Sequence, residues 1–424
     1  MNDDLHLRRL KCLQIAPAFA AFPTSGAELR SHHLAERLQR HMSVTHLAFA
    51  ADHQIERSIR INPLHYVGVP RSRRYRISDL LKGVLGRTPF PVLSYTRTDM
   101  THQLERLLAM EQFDFVQLES IHMAGYLPSL TRGRNKPRFV ICDWHNIESE
   151  LMERYSKQTS SVLRKLYAAQ QSKKLCEFER WFLKQCDMHL VVSDRDRDAL
   201  LAKGATVPVV VVENGVPVDD FADSALASAH SAYARSPGLA GPQCRRRVLF
   251  VGSMDYHPNI EAVLAFAEHV WPSVASRLPD AVFTVVGRNP PEAVRGLSSR
   301  VRIEVTGSVT DVRPYYYEAF AAVVPLRVAG GTRLKILEAM AAGVPVISTG
   351  IGAEGLCATP DVHFIQADTA AATVSAILAV AAGGERIQEM IHLSRDLTRR
   401  RYDWGVIGDA LASHYSSLVN TPHG

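Results

Sequence analysis

Short apolar runs alternate with helix-like patterns along most of the chain. Residues 12–16 form an apolar run and precede a loop with proline and glycine, a helical pattern over about 27–40, and a second apolar run over 44–49. A strand, a helix and a strand in this order begin a parallel α/β unit. Further strands are predicted in this half of the chain at 115–118, 139–142, 188–192 and 209–212.

The longest helical pattern lies between residues 148 and 184. Its apolar residues Leu175, Phe178, Trp181 and Phe182 have spacings that suit one buried face. Between residues 219 and 246 the composition shifts to alanine, serine, proline and glycine with little periodicity, which is typical of a connection between domains.

Strands and helices alternate regularly in the second half. The predicted strands are 248–251, 282–286, 301–306, 322–325, 344–348 and 363–366, and the predicted helices are 259–277, 312–320, 333–342 and 370–382. This rhythm is typical of a doubly wound sheet, whose ligands bind beyond the carboxyl ends of the strands. A last helical segment, about 405–418, has an apolar side that needs a surface to pack on.

These patterns predict an α/β protein with two Rossmann-like domains. The first domain covers residues 1–218, a connection covers 219–246, and the second domain covers 247–400. We expect the C-terminal segment, 401–424, to return to the first domain. A length of 424 residues suits this organisation.

Composition narrows the class of protein. A hydrophobic content of 46% with a charged content of 22% is ordinary for a globular protein. No segment is apolar for the roughly 18–20 residues of a transmembrane helix, and the first nine residues are polar, so we expect a cytosolic location. The six cysteines are scattered without metal-site spacing, which predicts buried thiols instead of disulfides or a zinc site.

The formal net charge of +6 favours an anionic partner. Part of this charge is concentrated at Arg71, Arg73, Arg74 and Arg76. Nucleic acid, an anionic membrane surface and a phosphorylated substrate each fit the charge, and a solvated basic loop explains the cluster equally well.

The most informative segment is a glycine loop that leads into a basic helix. Its residues are Gly330, Gly331, Thr332, Arg333 and Lys335. Glycines let the backbone approach an anion, and the first turn of a helix favours negative charge. Lys335 and Glu338 lie three residues apart and share a helix face, so a nucleoside diphosphate with its ribose fits both. A turn followed by solvated basic residues is the alternative.

Other loops follow strands in the same half of the chain. They contain Gly252, Ser253 and Asp255; Gly287 and Arg288; and Gly307 and Val309. Each is a weak signal alone because a glycine after a strand is often a turn, but together they indicate a ligand cleft. The chain lacks both GxGxxG after its first strand and GxxxxGK[ST], which argues against a dinucleotide-dependent dehydrogenase and a P-loop kinase.

Polar side chains also follow strands in the first half. Glu119 comes directly after the strand at 115–118, and His145 follows the strand at 139–142. A carboxylate and an imidazole at a sheet edge can position or deprotonate an acceptor hydroxyl, although a structural histidine is an equal alternative. Alternating aspartates at 194–198 suggest a cation site, but Ser193 before them favours a capped helix start.

The motifs resemble the retaining glycosyltransferases of family four, the glycosyl transferases group 1 set, with the GT-B architecture. The resemblance is most specific over residues 250–356, including Val305-Thr306-Gly307-Ser308-Val309 and the run from Leu337 to Ile347, and it is looser around Gly26, Asp143 and Asn214. It implies two Rossmann-like domains that face a cleft and a nucleotide-sugar donor in the second domain, with no metal and no cofactor.

The resemblance also implies roles for individual residues. Glu338 is similar to the carboxylate that holds the ribose, Val309 lies where backbone groups meet the base, and Gly26 lies where the first domain approaches the diphosphate. Glu119 and His145 lie on the acceptor side.

Two positions depart from the family pattern. Gly330 stands where a second glutamate is usual, and Ser253 stands where an arginine is usual. We expect Arg333 and Lys335 to supply the missing positive charge to the phosphates.

The expected function is a peripheral glycosyltransferase at the inner membrane face. It would transfer a hexose from a nucleoside-diphosphate sugar to a carbohydrate or lipid-linked saccharide, with retention, in polysaccharide or glycolipid synthesis. The alternatives are another GT-B enzyme, such as a nucleotide-sugar epimerase, and a non-catalytic sugar-nucleotide-binding protein. A nucleic-acid partner is not expected because no recognition module is present.

Overall fold

The computed structural model describes residues 10–21, 23, 25–51, 60–61, 64–70, 77–132, 135–159, 161–222, 246–328 and 334–420. The chain forms two compact units, Met1–Glu213 with Ile407–Gly424, and Asn214–Val406. Val216 and Val218, which the sequence analysis assigned to the first domain, are buried in the core of the second unit. Most of the predicted connection, 223–245, lies outside the described residues.

The first unit is built on an eight-stranded sheet with the order β3-β4-β2-β1-β5-β6-β7-β8. All neighbouring pairs are parallel except β3 with β4. The strands are β1 (Lys11–Ala16), β2 (Ser43–Ala50), β3 (Arg60–Ile61), β4 (Leu64–Pro70), β5 (Phe115–Glu119), β6 (Phe139–Trp144), β7 (Met188–Val191) and β8 (Val209–Val211).

Helices connect these strands. They are α1 (Gly26–Leu38), α2 (Ile77–Leu85), α3 (Phe90–Tyr95), α4 (Thr98–Met110), α5 (Leu127–Arg132), α6 (Glu148–Gln158), α7 (Val162–Phe182) and α8 (Asp194–Ala202), with a 3-10 helix at Ile121–Tyr126. The continuous helix predicted over 148–184 is therefore two helices, α6 and α7. Phe182 is buried as expected, but Trp181 is 47% exposed, so the predicted apolar face is wrong at that residue. Ser193 caps α8 by accepting from the Asp196 backbone N–H, which confirms the predicted helix start.

The second unit contains a six-stranded parallel sheet with the order β11-β10-β9-β12-β13-β14. The strands are β9 (Arg246–Val251), β10 (Ala281–Val286), β11 (Ile303–Gly307), β12 (Ala319–Val324), β13 (Val346–Ser348) and β14 (Ile365–Gln366). The strand order reverses between β9 and β12, and such a switch point is where open α/β sheets bind ligands.

The helices of this unit surround the sheet. They are α9 (Val218–Ala222), α10 (His257–His269), α11 (Trp271–Arg277), α12 (Glu292–Arg295), α13 (Arg313–Tyr317), α14 (Leu334–Ala342), α15 (Ala370–Ala382) and α16 (Glu385–Arg401), with a 3-10 helix at Gly296–Ser299. The single helix predicted over 259–277 is divided into α10 and α11. The helix predicted over 312–320 ends at Tyr317 because the next strand begins at Ala319.

The last helix, α17 (Trp404–Asn420), returns to the first unit. Tyr415 is fully buried, packs its ring 4.7 Å from that of Phe115, and donates a hydrogen bond to Gln117 Oε1. Gly408 lies against Arg37, since an added Cβ would lie 2.3 Å from the Arg37 Cβ. α17 therefore contributes both core and polar contacts to the first sheet.

Within the described residues, no single helix has the length and apolar composition needed to cross a membrane; α15 and α16 meet the criterion only as a pair, with a bend of 98°. The five described cysteines are free thiols. Cys12, Cys142 and Cys186 are buried as expected, but Cys357 is exposed, which corrects the prediction for that residue.

Candidate functional site

Polar side chains from β5, β6 and α1 form a buried cluster in the first unit. β5 and β6 pair in register so that Glu119 lies beside Asp143 at their carboxyl ends. His145 follows β6, and one ligand atom from each of these three residues lies within 4.8 Å of the others. Glu119 and His145 were predicted at this edge from the sequence, and in the structure they are in direct contact.

Arg30 and Asp143 form the charged core of this cluster. Arg30 Nε and Nη2 donate to Asp143 Oδ2 and Oδ1, both over 2.8 Å, and Nη1 donates to the Glu213 carbonyl over 3.0 Å. Both side chains are at most 1% exposed. This geometry fixes the carboxylate plane because a guanidinium bonds both oxygens at once. The sequence pattern gave no signal for Arg30.

Glu119 accepts hydrogen bonds from three side chains. Ser31 Oγ donates to Oε2 over 2.8 Å, Gln117 Nε2 donates to Oε1 over 2.5 Å, and His145 Nε2 lies 3.0 Å from Oε2. Gln117 in turn accepts from Tyr415 of α17. A chain of hydrogen bonds therefore runs from the last helix of the protein to His145.

The charges in this cluster are coupled. Burial alone would raise the pKa of Glu119, but the hydrogen bond and charge of His145 outweigh burial and lower that pKa. Burial alone would lower the pKa of His145, but the bond to Glu119 and the charge of Asp143 outweigh it and raise that pKa. The pair therefore favours a carboxylate and an imidazolium. Because the His145 side chain is 12% exposed and that of Glu119 is 0% exposed, His145 is the member that a substrate can reach.

The spacing of Glu119, Asp143 and His145 alone would suit a metal ion. The donor atoms are already engaged, however, because Arg30 bonds both oxygens of Asp143, and Ser31 and His145 share one oxygen of Glu119. The positive charges of Arg30 and an imidazolium balance the two carboxylates. This donor set fits a proton-bearing histidine better than a cation site.

Glu148 is a titratable group that the sequence analysis missed. It begins α6, is 9% exposed, and its pKa is raised to about 7 by burial and by the charge of Glu179. The charge of His145 acts on it in the opposite direction. The only sequence signal for it was its place after the loop that carries His145.

In the second unit, Lys335 lies at the switch point between β9 and β12. Its Nζ donates to Asn259 Oδ1 over 2.9 Å and lies 4.3 Å from the centre of the Phe250 ring. A Cβ added to Gly252 would lie 2.7 Å from this Nζ. The ammonium therefore lies directly against the loop after β9, and a larger residue at position 252 would displace the ends of the Lys335 and Asn259 side chains. Sequence reasoning identified Lys335 and Gly252 but not Asn259.

A second cation lies at the same loop. Arg288, which follows β10, has its Nε 3.1 Å from Ser253 Oγ and 2.9 Å from Asp255 Oδ2. Hydrogen bonds from Asn289 and Ser253, together with Arg288, lower the pKa of Asp255. A guanidinium is therefore present beside Ser253, the position where the family pattern has an arginine of its own.

Glu338 lies one turn beyond Lys335 on α14. Tyr316 Oη donates to Glu338 Oε2 over 2.8 Å. Burial raises the pKa of Glu338, while the bond from Tyr316 and the charge of Lys335 act against that rise. The residue as a whole is half-buried, and only its Oε2 is bonded to Tyr316 in this contact. Tyr316 was not identified from the sequence.

The remaining predicted residues lie apart from these contacts. Gly26 is the first residue of α1, whose N-cap Ser25 accepts from the Glu28 N–H. Val309 is half-buried after β11 and packs against the core of the second unit. The predicted residues outside the described part of the chain are Gly330, Gly331, Thr332 and Arg333, together with the Arg71, Arg73, Arg74 and Arg76 cluster.

Two family models match the sequence. Residues 25–215 match the model described as a glycosyl transferase 4-like domain, and residues 245–382 match the model described as glycosyl transferases group 1. The matched segments correspond to the two units and together cover most of the chain. No curated protein matches the sequence at a significant level.

Solved structures share the fold of the whole chain. Sucrose-phosphate synthase from Thermosynechococcus elongatus has a TM-score of 0.73 and 17% identity, covering 97% of this chain and 99% of that chain. HepE from Anabaena, in complex with UDP and glucose, has a TM-score of 0.64 and 14% identity, with 97% and 100% covered. An α,α-trehalose 6-phosphate synthase from Burkholderia multivorans has a TM-score of 0.64 and 14% identity, with 97% and 99% covered. At these identities the likeness establishes the fold.

Proposed function

We propose that this glycosyltransferase, which has the GT-B fold and whose two halves match the models of a glycosyl transferase 4-like domain and of glycosyl transferases group 1, uses a nucleoside-diphosphate sugar to glycosylate a carbohydrate hydroxyl with retention of configuration. The observation that carries the proposal is the pairing of Lys335 and Glu338 on one short helix at the switch point of the second sheet. A ribose diphosphate can bind a cation through its phosphates and a carboxylate one helical turn away through its ribose hydroxyls.

The chemical task of the second unit is to stabilise the leaving group. As the bond between sugar and phosphate breaks, negative charge accumulates on the diphosphate. The Lys335 ammonium is already held against the Gly252 backbone by Asn259, so little reorganisation is needed when this charge develops. Arg288, which is paired with Asp255, places a guanidinium beside Ser253. HepE from Anabaena binds UDP-glucose and UDP in its solved structures, which supports a nucleotide-sugar donor.

The first unit supplies the acceptor side in this proposal. His145 contacts the acceptor, and buried Glu119 acts through it as a positioning residue. As an imidazolium, His145 can donate a hydrogen bond that positions the acceptor oxygen. The proton that the acceptor hydroxyl loses as the new bond forms passes to the departing diphosphate, whose negative charge grows in the same step. Glu338 contacts the ribose hydroxyls, and neither a metal nor a cofactor takes part.

We place the acceptor on a lipid-linked saccharide at the cytoplasmic membrane face, in polysaccharide or glycolipid synthesis. The net charge of +6 supports an anionic surface as a partner, and nucleic acid is not proposed.

Calorimetric titration with a panel of nucleoside diphosphates and their sugars, without added metal, tests the donor site. Glu338→Ala should weaken binding of one nucleotide by about tenfold or more, because a hydrogen bond to a charged group contributes about 1.5–3 kcal/mol. Glu292→Ala, which alters an exposed carboxylate on α12 of the same unit, is the matched control and should bind normally. Equal binding by both variants would contradict the assignment of Glu338.

Product analysis separates the remaining activities. Transfer to a saccharide with release of the nucleoside diphosphate supports the proposal. An isomerised nucleotide sugar without any acceptor would instead identify an epimerase. Donor binding with neither reaction would identify a binding protein.

A further inference from the structure

The first helical turns of α7 project from the first unit. Residues 162–166 are all exposed, and the first buried residue of the helix is Ala168. Val162, Leu163 and Leu166 are 69%, 80% and 64% exposed. A helix of a globular protein normally buries its apolar residues along one face. Core packing therefore does not explain why three large apolar side chains are exposed within the first turns of this helix.

A fourth apolar side chain comes from α2. Gln170 donates to the Val84 carbonyl over 3.2 Å, and Lys174 donates to the carbonyls of Gly83 and Val84. These bonds attach the end of α2 to the same helix one turn beyond Leu166. Leu85, the last residue of α2, is 83% exposed at this place.

Basic residues outnumber acidic residues around these side chains, although Lys157 is paired with Glu153 over 2.6 Å. From residue 154 to residue 176 the sequence contains no Asp or Glu, and its basic residues are Arg154, Lys157, Arg164, Lys165, Lys173 and Lys174. Arg164 and Lys165 lie between the exposed leucines on the same turn of α7 and are themselves exposed. We call Val162, Leu163, Arg164, Lys165 and Leu166 the hairpin tip, since α6 and α7 meet there; Leu85 lies farther along α7, where α2 is attached.

We propose that the hairpin tip docks on an anionic lipid bilayer. The leucines enter the headgroup boundary, and the two basic side chains contact lipid phosphates, as interfacial helices do. A protein partner fits this composition less well, because the cores of protein interfaces are depleted of lysine and here Lys165 lies between the exposed leucines. The proposal rests on the proposed function, in which the acceptor is carried on a membrane lipid.

The test measures binding of the full-length protein to vesicles by co-sedimentation at low salt. Phosphatidylcholine vesicles that contain phosphatidylglycerol should bind the protein, and pure phosphatidylcholine vesicles should bind it much less. Leu163→Ser with Leu166→Ser should lower the partition coefficient by about tenfold or more. Arg164→Gln with Lys165→Gln should lower it by about 25-fold, since each basic residue near an anionic surface contributes about fivefold.

Control variants change exposed apolar or basic side chains elsewhere in the first unit. Met110→Ser removes a side chain that is 73% exposed, and Arg106→Gln with Lys184→Gln removes two exposed charges. Both control variants should bind vesicles like the unaltered protein. A comparable loss in the controls would overturn the proposal, because it would assign binding to net charge or to general hydrophobicity.

Two further outcomes would also overturn it. One is loss of vesicle binding only when Arg71, Arg73, Arg74 and Arg76 are replaced by Gln. The other is a dimer in light scattering that Leu163→Ser with Leu166→Ser converts to a monomer. Titration of each variant with the nucleotide donor keeps this test separate from the proposed function. Unchanged donor binding with no vesicle binding refutes the docking surface alone. Vesicle binding without any donor binding refutes the donor assignment alone.

Discussion

Arg30 and Asp143 lie 113 positions apart in the sequence and bond through two parallel hydrogen bonds of 2.8 Å each. Neither side chain has appreciable contact with solvent. Because α1 carries Arg30 and β6 carries Asp143, this pair ties the first helix of the unit to the strand that precedes His145. The position of the histidine therefore depends on a buried ion pair.

Replacement of one partner of the Arg30–Asp143 pair should strongly destabilise the folded protein. Arg30→Met leaves a buried carboxylate without its cation and should lower the free energy of unfolding of the first unit by about 3–5 kcal/mol. Adding Asp143→Leu should recover most of the loss, since no unpaired charge remains. Urea unfolding followed by circular dichroism measures both variants. Arg195→Met, at a pair with Glu150 that is partly exposed, should cost at most about 1 kcal/mol. A double variant no more stable than Arg30→Met would contradict this account.

The protonation of His145 should depend on Glu119. The folded-state pKa of His145 is raised above its ordinary value of 6.5, so its pair contributes full stability below that pH and loses it as pH rises through the raised pKa. Glu119→Gln removes the carboxylate charge and should move the titration of the His145 ring to lower pH in NMR spectra. In a plot of kcat against pH, the limb that reports the titration of His145 should also move to lower pH. Glu177→Gln, at an exposed carboxylate of α7, should change neither.

Tyr316 should lower the pKa of the Glu338 carboxylate. Its hydroxyl donates to the carboxylate and favours the charged form, so Tyr316→Phe should raise the already elevated pKa of Glu338. As the solution is acidified, the variant should therefore begin to lose donor affinity at a higher pH than the unaltered protein does. At neutral pH its donor affinity should be about fivefold lower than that of the unaltered protein. Calorimetry at several pH values measures this. Identical pH dependence in the variant and the unaltered protein would show that Glu338 does not contact the donor as a carboxylate.

Gly252 should be needed for the position of Lys335. In Gly252→Ala the new methyl group would lie 2.7 Å from Lys335 Nζ and 2.8 Å from Asn259 Nδ2, so the ammonium must move away. Affinity for a nucleoside diphosphate should fall by about tenfold or more without any change of charge. Gly296→Ala is the matched control, because no atom lies within 4 Å of its added Cβ. Normal binding by Gly252→Ala would show that Lys335 does not contact the phosphates.

The predictable parts of the fold were the buried parallel strands. Such strands are continuous apolar runs, so β1, β2 and β10 were predicted to within one or two residues. β4 was not predicted, because its His65 and Gly68 interrupt the apolar pattern. α16 was not predicted either, since only Ile387, Met390 and two hydroxyl residues are buried in a helix rich in charge.

The candidate site was predictable only where a residue directly follows a strand. Glu119 and His145 were identified in this way, since parallel strands end at one edge of the sheet. Their hydrogen-bond partners were not identified. Ser31, for example, lies 88 residues from Glu119 in the sequence, and only the packing of α1 brings the two side chains together. Tyr316 lies 22 residues from Glu338 for the same reason. Sequence spacing carries no information on contacts that depend on how helices pack.

The return of α17 to the first sheet has a consequence for biosynthesis. A ribosome completes the whole second unit before it supplies Leu411 and Tyr415, which are fully buried beside the first sheet. Until α17 is made, the growing chain therefore exposes the surface that receives this helix, and Gln117 lacks its tyrosine donor. Domains generally fold in the order in which they are made. In this chain the second unit can finish first, and the surroundings of His145 are completed only after α17 has emerged from the ribosome.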